Sequence, residues 1–200
     1  MRTNLKKIQR CPGCGDFFIL LALQKALKNL GIPKHKYVIV SWIWCSGKMP
    51  HYIDWYAAET LHWRILPFAT GIKLSNPELT VIWIWWDWDG YGIGLSHFIH
   101  TARRNIDLLY IVANNQNYGL TTWQASPTTP KCAKTSSTPQ GNPLPPMDPI
   151  ALAKAAGAEF TYRVDHQDIN KLAERIAKGI QHPGFAHLDV DQACPSWRKW

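Results

Sequence analysis

The chain has 200 residues, 46% hydrophobic and 18% charged, which is enough for one α/β domain with a full core. No apolar run approaches the roughly 18–20 residues of a membrane span, and Asp87 and Asp89 interrupt the longest, so a membrane partner is not expected. The net charge of +8 is spread in short runs with the aromatics in core-like strands, which argues against a nucleic-acid groove and leaves an acidic protein partner as the better use of the charge.

Residues 15–31 carry a helical apolar repeat with Lys late and Gly31 as the stop. Tyr37 to Ile43 is a β-branched run and reads as a strand, and residues 54–75 read as mostly helical, ending before Asn76-Pro77. Thr80 to Trp85 and Leu108 to Ala113 are apolar runs separated by a helix-length segment, which predicts a βαβ unit. Residues 121–147, rich in Ser, Thr and Pro, are too long and polar for a simple turn; such loops are functional or disordered. Asp148-Pro149 predicts a helix start, with helix through Ala156, strand from Phe160 to Val164, helix from Asp168 to Gln181 and strand from Phe185 to Val190. This alternation predicts a doubly wound, mostly parallel α/β sheet with helices on both faces.

The first strand of the βαβ unit runs into Asp87-Trp88-Asp89-Gly90 and the second into Asn114-Asn115. Parallel strands bring both clusters to carboxyl ends, where open α/β sheets hold ligands. A carboxylate and an amide oxygen without His or Cys suit a hard cation such as Mg²⁺ carrying a phosphate group. Residues 80–119 are therefore a candidate metal–diphosphate site.

Five cysteines occur, at 11, 14, 45, 132 and 194. Cys11-Pro-Gly-Cys14 can aim two thiolates at one metal, Cys45 follows a predicted strand, and Cys194 follows the last one. Four thiolates gathered from loops suit zinc or a [4Fe–4S] cluster, and the spacing does not choose between them. Cys132, in the polar loop, reads as a bystander. The start Met1-Arg-Thr-Asn-Leu-Lys-Lys lacks an apolar signal core, so the expected location is the cytoplasm.

In order, Cys11-Pro-Gly-Cys-Gly-Asp16, Cys45-Ser-Gly-Lys-Met-Pro-His-Tyr52, Leu66-Pro-Phe-Ala-Thr-Gly-Ile-Lys73, Asp87 through Gly94, Ala102-Arg-Arg-Asn-Ile-Asp107, Asn114-Asn115 with Tyr118-Gly-Leu-Thr-Thr122, and Gln124-Ala-Ser-Pro-Thr-Thr129 closely resemble the β subunit of 2-oxoacid:ferredoxin oxidoreductases, the subunit that binds thiamine diphosphate. The resemblance covers nearly the whole chain. It implies a thiamine diphosphate-binding fold, residues 1–200 forming a single domain truncated at its C terminus, and a subunit that works only with its α subunit. The implied reaction is oxidative decarboxylation of a 2-oxoacid, pyruvate or 2-oxoglutarate, with CoA to acyl-CoA and CO₂, electrons passing through [4Fe–4S] to ferredoxin. By position, Asp87 and Asn115 would ligate Mg²⁺ by side chain and Asn117 by its carbonyl. Cys45, Ser46, Gly47, Asp89 and Gly90 would flank the diphosphate, with His62, Gly119, Leu120 and Thr121 also at the cofactor and Arg64 nearby. Cys11, Cys14, Cys45 and Cys194 would hold the cluster. Lys48 and Leu120 would meet the substrate, Lys48 pairing with its carboxylate. Two alternatives are a thiamine diphosphate decarboxylase or synthase without iron, and a non-catalytic remnant whose site is blocked.

The second alternative arises from the tryptophans, of which there are eleven. The family pattern resembled here carries glycine at the positions of Trp42, Trp44, Trp63, Trp85, Trp86, Trp88 and Trp123. Overpacking costs about 1–3 kcal/mol per site, against roughly 5–15 kcal/mol for a whole domain. Either the chain truly carries these indoles and binds little or no thiamine diphosphate, or UGA codons meaning glycine in the source cell are rendered as tryptophan. The 13 glycines that remain favour the second explanation.

Overall fold

The computed structural model of the chain describes residues 10–42 and 44–197, with the side chain of Trp44 outside that description. At its centre lie β3 (Thr80–Trp86) and β4 (Leu108–Asn114), every residue of which is buried except the half-buried Thr80. Continuous burial is what a parallel strand covered on both faces requires, and it explains the unbroken apolar runs. β1 (Tyr37–Ser41) and β2 (Tyr56–Glu59) extend the sheet on one side, and β8 (Phe185–Asp191) and β7 (Phe160–Asp165) on the other. All six run parallel in the order β2-β1-β3-β4-β8-β7, the doubly wound sheet expected.

Helix α1 (Asp16–Leu30) buries Ile19, Leu23, Ala26 and Leu27 and packs on α6 (Ile169–Gln181), whose Leu172, Ala173 and Ile176 face inward. Gly31 ends α1 at φ 64°, the left-handed cap that favours glycine. Helices α3 (Ile65–Ser75), α4 (Leu95–Arg103) and α5 (Pro149–Ala155) pack in series. The β3–α4–β4 and β7–α6–β8 crossovers step in opposite directions along the sheet, so right-handedness puts α4 and α6 on opposite faces. Asp148 caps α5, its carboxylate accepting from the Ile150 N–H at 3.0 Å, with Pro149 in the first turn. Among the described residues, no helix is long and apolar enough to cross a membrane.

One element differs from expectation. Residues 56–59 are not helical but form β2, paired with β1 from Val38↔Tyr56 to Ser41↔Glu59. Trp63 stands at φ 61°, a left-handed conformation that a right-handed helix cannot include, so the helix starts only at Ile65.

The chain leaves β1 outward to β2 and then returns past β1 to β3. The β1/β3 boundary is therefore the topological switch point, where strand ends diverge into a crevice. The short helix α2 (Trp44–Gly47) follows β1 at that edge, and a π-helical turn, Trp88–Ile93, follows β3. Segment 121–147 is ordered by its own polar groups. β6 (Gln124–Ala125) pairs with β5 (Asn117–Tyr118), and Asn142 Nδ2 donates to the Thr129 carbonyl at 3.0 Å. That ordering brings Ser126 and Thr128 to the end of β3.

Candidate functional site

Trp86 pairs with Ala113 across β3 and β4, so Asp87 stands level with Asn114 and one step from Asn115. Asp87 is fully buried. Its Oδ2 accepts hydrogen bonds from Ser126 Oγ at 2.5 Å and Thr128 Oγ1 at 2.7 Å, while its Oδ1 has no partner. Asp89 is 1% exposed; its Oδ1 makes no hydrogen bond, and His62 Nδ1 lies 3.6 Å away. Burial pushes the Asp87 carboxyl up to about 7 against the pull of its two hydroxyl donors, and Asp89 up to about 8.

The asparagines at the end of β4 close a turn on one another. Asn115 Oδ1 accepts from the Asn117 N–H at 3.1 Å, and Asn117 Nδ2 donates to the Asn115 carbonyl at 2.8 Å. One lone pair of Asn115 Oδ1 is engaged in this turn, which leaves the other for a cation, and Asn117 Oδ1 is a buried amide oxygen without a partner. Unpartnered buried acceptors are rare and costly. Three of them around one sheet corner, from Asp87, Asp89 and Asn117, are hard oxygen donors of the kind a divalent cation takes.

The backbone around this corner is tight. A Cβ on Gly90 would stand 1.9 Å from Tyr110 Oη, so glycine alone fits there, and one on Gly47 would meet the Trp42 carbonyl oxygen at 2.5 Å. Ser46, expected at a phosphate, instead donates to Asp16 Oδ1 at 2.5 Å, and Asp16 pairs with Arg10 in a buried bridge. Lys48 is exposed, as are Thr121, bonded to Gln124, and Leu120, 61% accessible. Arg64 is exposed and paired with His97 at 2.9 Å.

Cys11, Cys14, Cys45 and Cys194 line one cavity of about 110 Å³, which they share with Asn115, Gly119 and Leu120. The turn that places the first two is closed by the Cys14 N–H on the Cys11 carbonyl at 3.1 Å, and the Gly15 N–H on the Ala193 carbonyl ties it to the chain before Cys194. Cys132 is exposed in the long loop. Burial pushes the Cys14 thiol far up and Cys45 up to about 11, while Arg10 pulls both down. Among the described residues, no three Cys, His, Asp or Glu side chains converge on a single ion.

Beneath the corner lies a network that sequence reasoning did not find. Thr128 Oγ1 is also 2.8 Å from Asn114 Oδ1, and Asn114 Nδ2 donates to Asp189 Oδ1 at 3.0 Å. Asp189, fully buried on β8, also accepts from Tyr91 Oη at 3.0 Å and Arg163 Nε at 2.7 Å. His187 bridges Tyr91 and Thr161, each at 2.8 Å. The only available signal was polar residues, His187 and Asp189, at inward positions of an apolar strand.

Burial in this network lowers His187 from 6.5 to about 3. Its contribution to stability is complete above the unfolded value and is lost as pH falls toward the folded one. Asp87, Asp89 and Asp189 are raised and act in the opposite sense, so the difference between the parent chain and His187→Gln isolates the histidine. In urea titrations that stability difference should shrink by roughly 2 kcal/mol between about pH 6.5 and about pH 5. A constant difference across that range would contradict a neutral buried imidazole.

Residues 34–190 match the family model described as thiamine pyrophosphate enzyme, C-terminal TPP binding domain. The chain is 50% identical over 189 residues to the 2-oxoacid:ferredoxin oxidoreductase subunit beta of Saccharolobus solfataricus, covering 94% of this chain and 62% of that one. It is 41% identical over 199 residues to the 2-oxoglutarate synthase subunit KorB of Archaeoglobus fulgidus, covering 100% of this chain and 74% of that one. Among solved structures, a chain of the 2-oxoglutarate:ferredoxin oxidoreductase from Magnetococcus marinus, with 2-oxoglutarate, coenzyme A and succinyl-CoA bound, superposes with a TM-score of 0.95 at 36% identity, over 98% of this chain and 68% of that one.

Proposed function

Because the chain belongs to the family of 2-oxoacid:ferredoxin oxidoreductase β subunits, we propose that it is the thiamine diphosphate-binding part of such an enzyme, a single domain of a longer polypeptide. It spans 62% of the length of the first two relatives it matches. Its reaction is the oxidative decarboxylation of a 2-oxoacid, pyruvate or 2-oxoglutarate, with CoA, in a complex with the α subunit that passes electrons to ferredoxin. We assign the complex to the cytoplasm, where five free cysteines are at home.

The observation that carries this reading is two donor sets on adjoining segments, since Trp86, Trp88, Asn115 and Gly119, neighbours of the oxygen donors, line the cysteine cavity. Asp87 Oδ1, Asn115 Oδ1 and the Asn117 carbonyl, with Asp89 close by, are the oxygens we assign to Mg²⁺, whose preference is for oxygen. On the cavity that reaches Asn115 and Gly119 stand four cysteines. We assign these four thiols to a [4Fe–4S] cluster, the group the family resemblance implies. Lys48 is the residue we assign to the oxoacid carboxylate, with Leu120 on the apolar side of the substrate.

The cation donors and the cysteines fit their groups; the space for thiamine diphosphate does not. Asp87 and Asn117 are 0% exposed, and Trp86 and Trp88 stand over the cavity beside them.

The test is electron transfer by the complex purified anaerobically from its source cell. Ferredoxin reduction should require CoA and one of the two 2-oxoacids. If iron and thiamine diphosphate are both bound and no 2-oxoacid reduces ferredoxin, the reading falls.

A further inference from the structure

The misfit has an address. Trp63 and Trp123 stand at φ 61° and 76°, where a Cβ is disfavoured and glycine is at ease. The ring of Trp42 lies 3.2 Å from that of His62, centre to centre at 61°, whereas aromatic pairs settle about 4.5–7 Å apart. Trp63 and Trp86 bury indole N–H groups that have no hydrogen-bond partner. Trp88, 5% exposed between Asp87 and Asp89, is wedged between His62 at 5.7 Å and Tyr118 at 4.9 Å.

These side chains occupy one region. Trp42, Trp63 and Trp88 surround His62, Trp85 stacks on Trp42 at 6.1 Å, and Trp86 and Trp88 line the cysteine cavity. Trp123 stacks at 6.3 Å on Trp197, which lines the same cavity. Trp83 lies outside this region, flat on Tyr110 at 4.0 Å within β3, although its indole N–H is likewise buried without a partner. Strain, collision and unpaired donors thus gather where the donor oxygens of Asp87 and Asn117 need open space.

We propose that residues 42, 63, 85, 86, 88 and 123 are glycine in the protein its source cell makes. One codon, UGA, means tryptophan in some genetic codes and glycine in others, so a single reading rule accounts for all six. With glycine there, the positive φ values become ordinary, the buried N–H groups vanish, and the corner opens toward the metal donors. The opened volume is the thiamine diphosphate cradle only if the cofactor reading above holds; the identity of the residues does not depend on it.

The gene and the protein decide. The six codons should be TGA, and peptide masses of the protein isolated from its source cell should show glycine at all six positions, lowering the intact mass by several hundred daltons. TGG codons, or tryptophan masses at these positions, would overturn the proposal. Glycine masses in a protein that binds no thiamine diphosphate would uphold it while removing the cofactor reading.

Discussion

Glycine at residues 42, 63, 85, 86, 88 and 123 is expected to tighten binding of thiamine diphosphate with Mg²⁺ at least about 100-fold over the tryptophan chain, roughly 2.7 kcal/mol. The comparison is calorimetric, with each form assembled with the α subunit. The size follows from the corner between β3 and β4. To reach Asp87 Oδ1, a diphosphate-bound cation must displace the indole of Trp88 or Trp86, both packed to 5% exposure. Forcing extra volume into a filled site costs about 1–3 kcal/mol each time, and several indoles stand in the way. Equal affinity of the two forms would show that the indoles move aside freely, and the misfit would then be no obstacle.

The second large effect concerns iron. Cys14→Ser or Cys45→Ser should lower the iron of the assembled complex to under about a tenth and bleach its brown colour, because a hard hydroxyl replaces a soft thiolate in a cluster held by four sulfurs. Both thiols are pushed up by burial, so each stays protonated unless a metal takes the proton's place. Cys132→Ser, on the exposed loop, should keep its iron and serves as the control. Zinc in place of iron, or full iron in Cys14→Ser, would contradict the assignment.

Much of the fold was legible because burial leaves a plain trace. Two unbroken apolar runs ending in Asp87 and Asn114-Asn115 announce parallel strands with a polar edge, and the helical period closing at Gly31 announces α1. The edge strand β2 was not legible. Its Tyr-Ala-Ala-Glu is largely exposed, so packing writes little pattern into it, and Ala and Glu favour helix. What ends the helical reading is the backbone at Trp63, which no periodicity reports.

The site divides in the same way. The residue types at the strand ends were readable, and the ordered motifs pointed to the family that the relatives bear out. The turn that ties Asn115 to Asn117 was not, because it is a matter of local geometry. The hydroxyls of Ser126 and Thr128 reach Asp87 across 39 and 41 residues, through a loop whose composition says only that it is polar. The link from Asn114 to Asp189 spans 75 residues and joins neighbouring strands that are far apart in the chain.

Whether Asp87 and Asn117 share one divalent ion is tested most directly by anomalous scattering from Mn²⁺, in crystals of the assembled complex grown with thiamine diphosphate. The expected result is a manganese peak about 2.1–2.2 Å from Asp87 and Asn117 oxygens, near the octahedral ligand distance of the Mg²⁺ it replaces. A peak bound elsewhere, with both oxygens still unliganded, would contradict it.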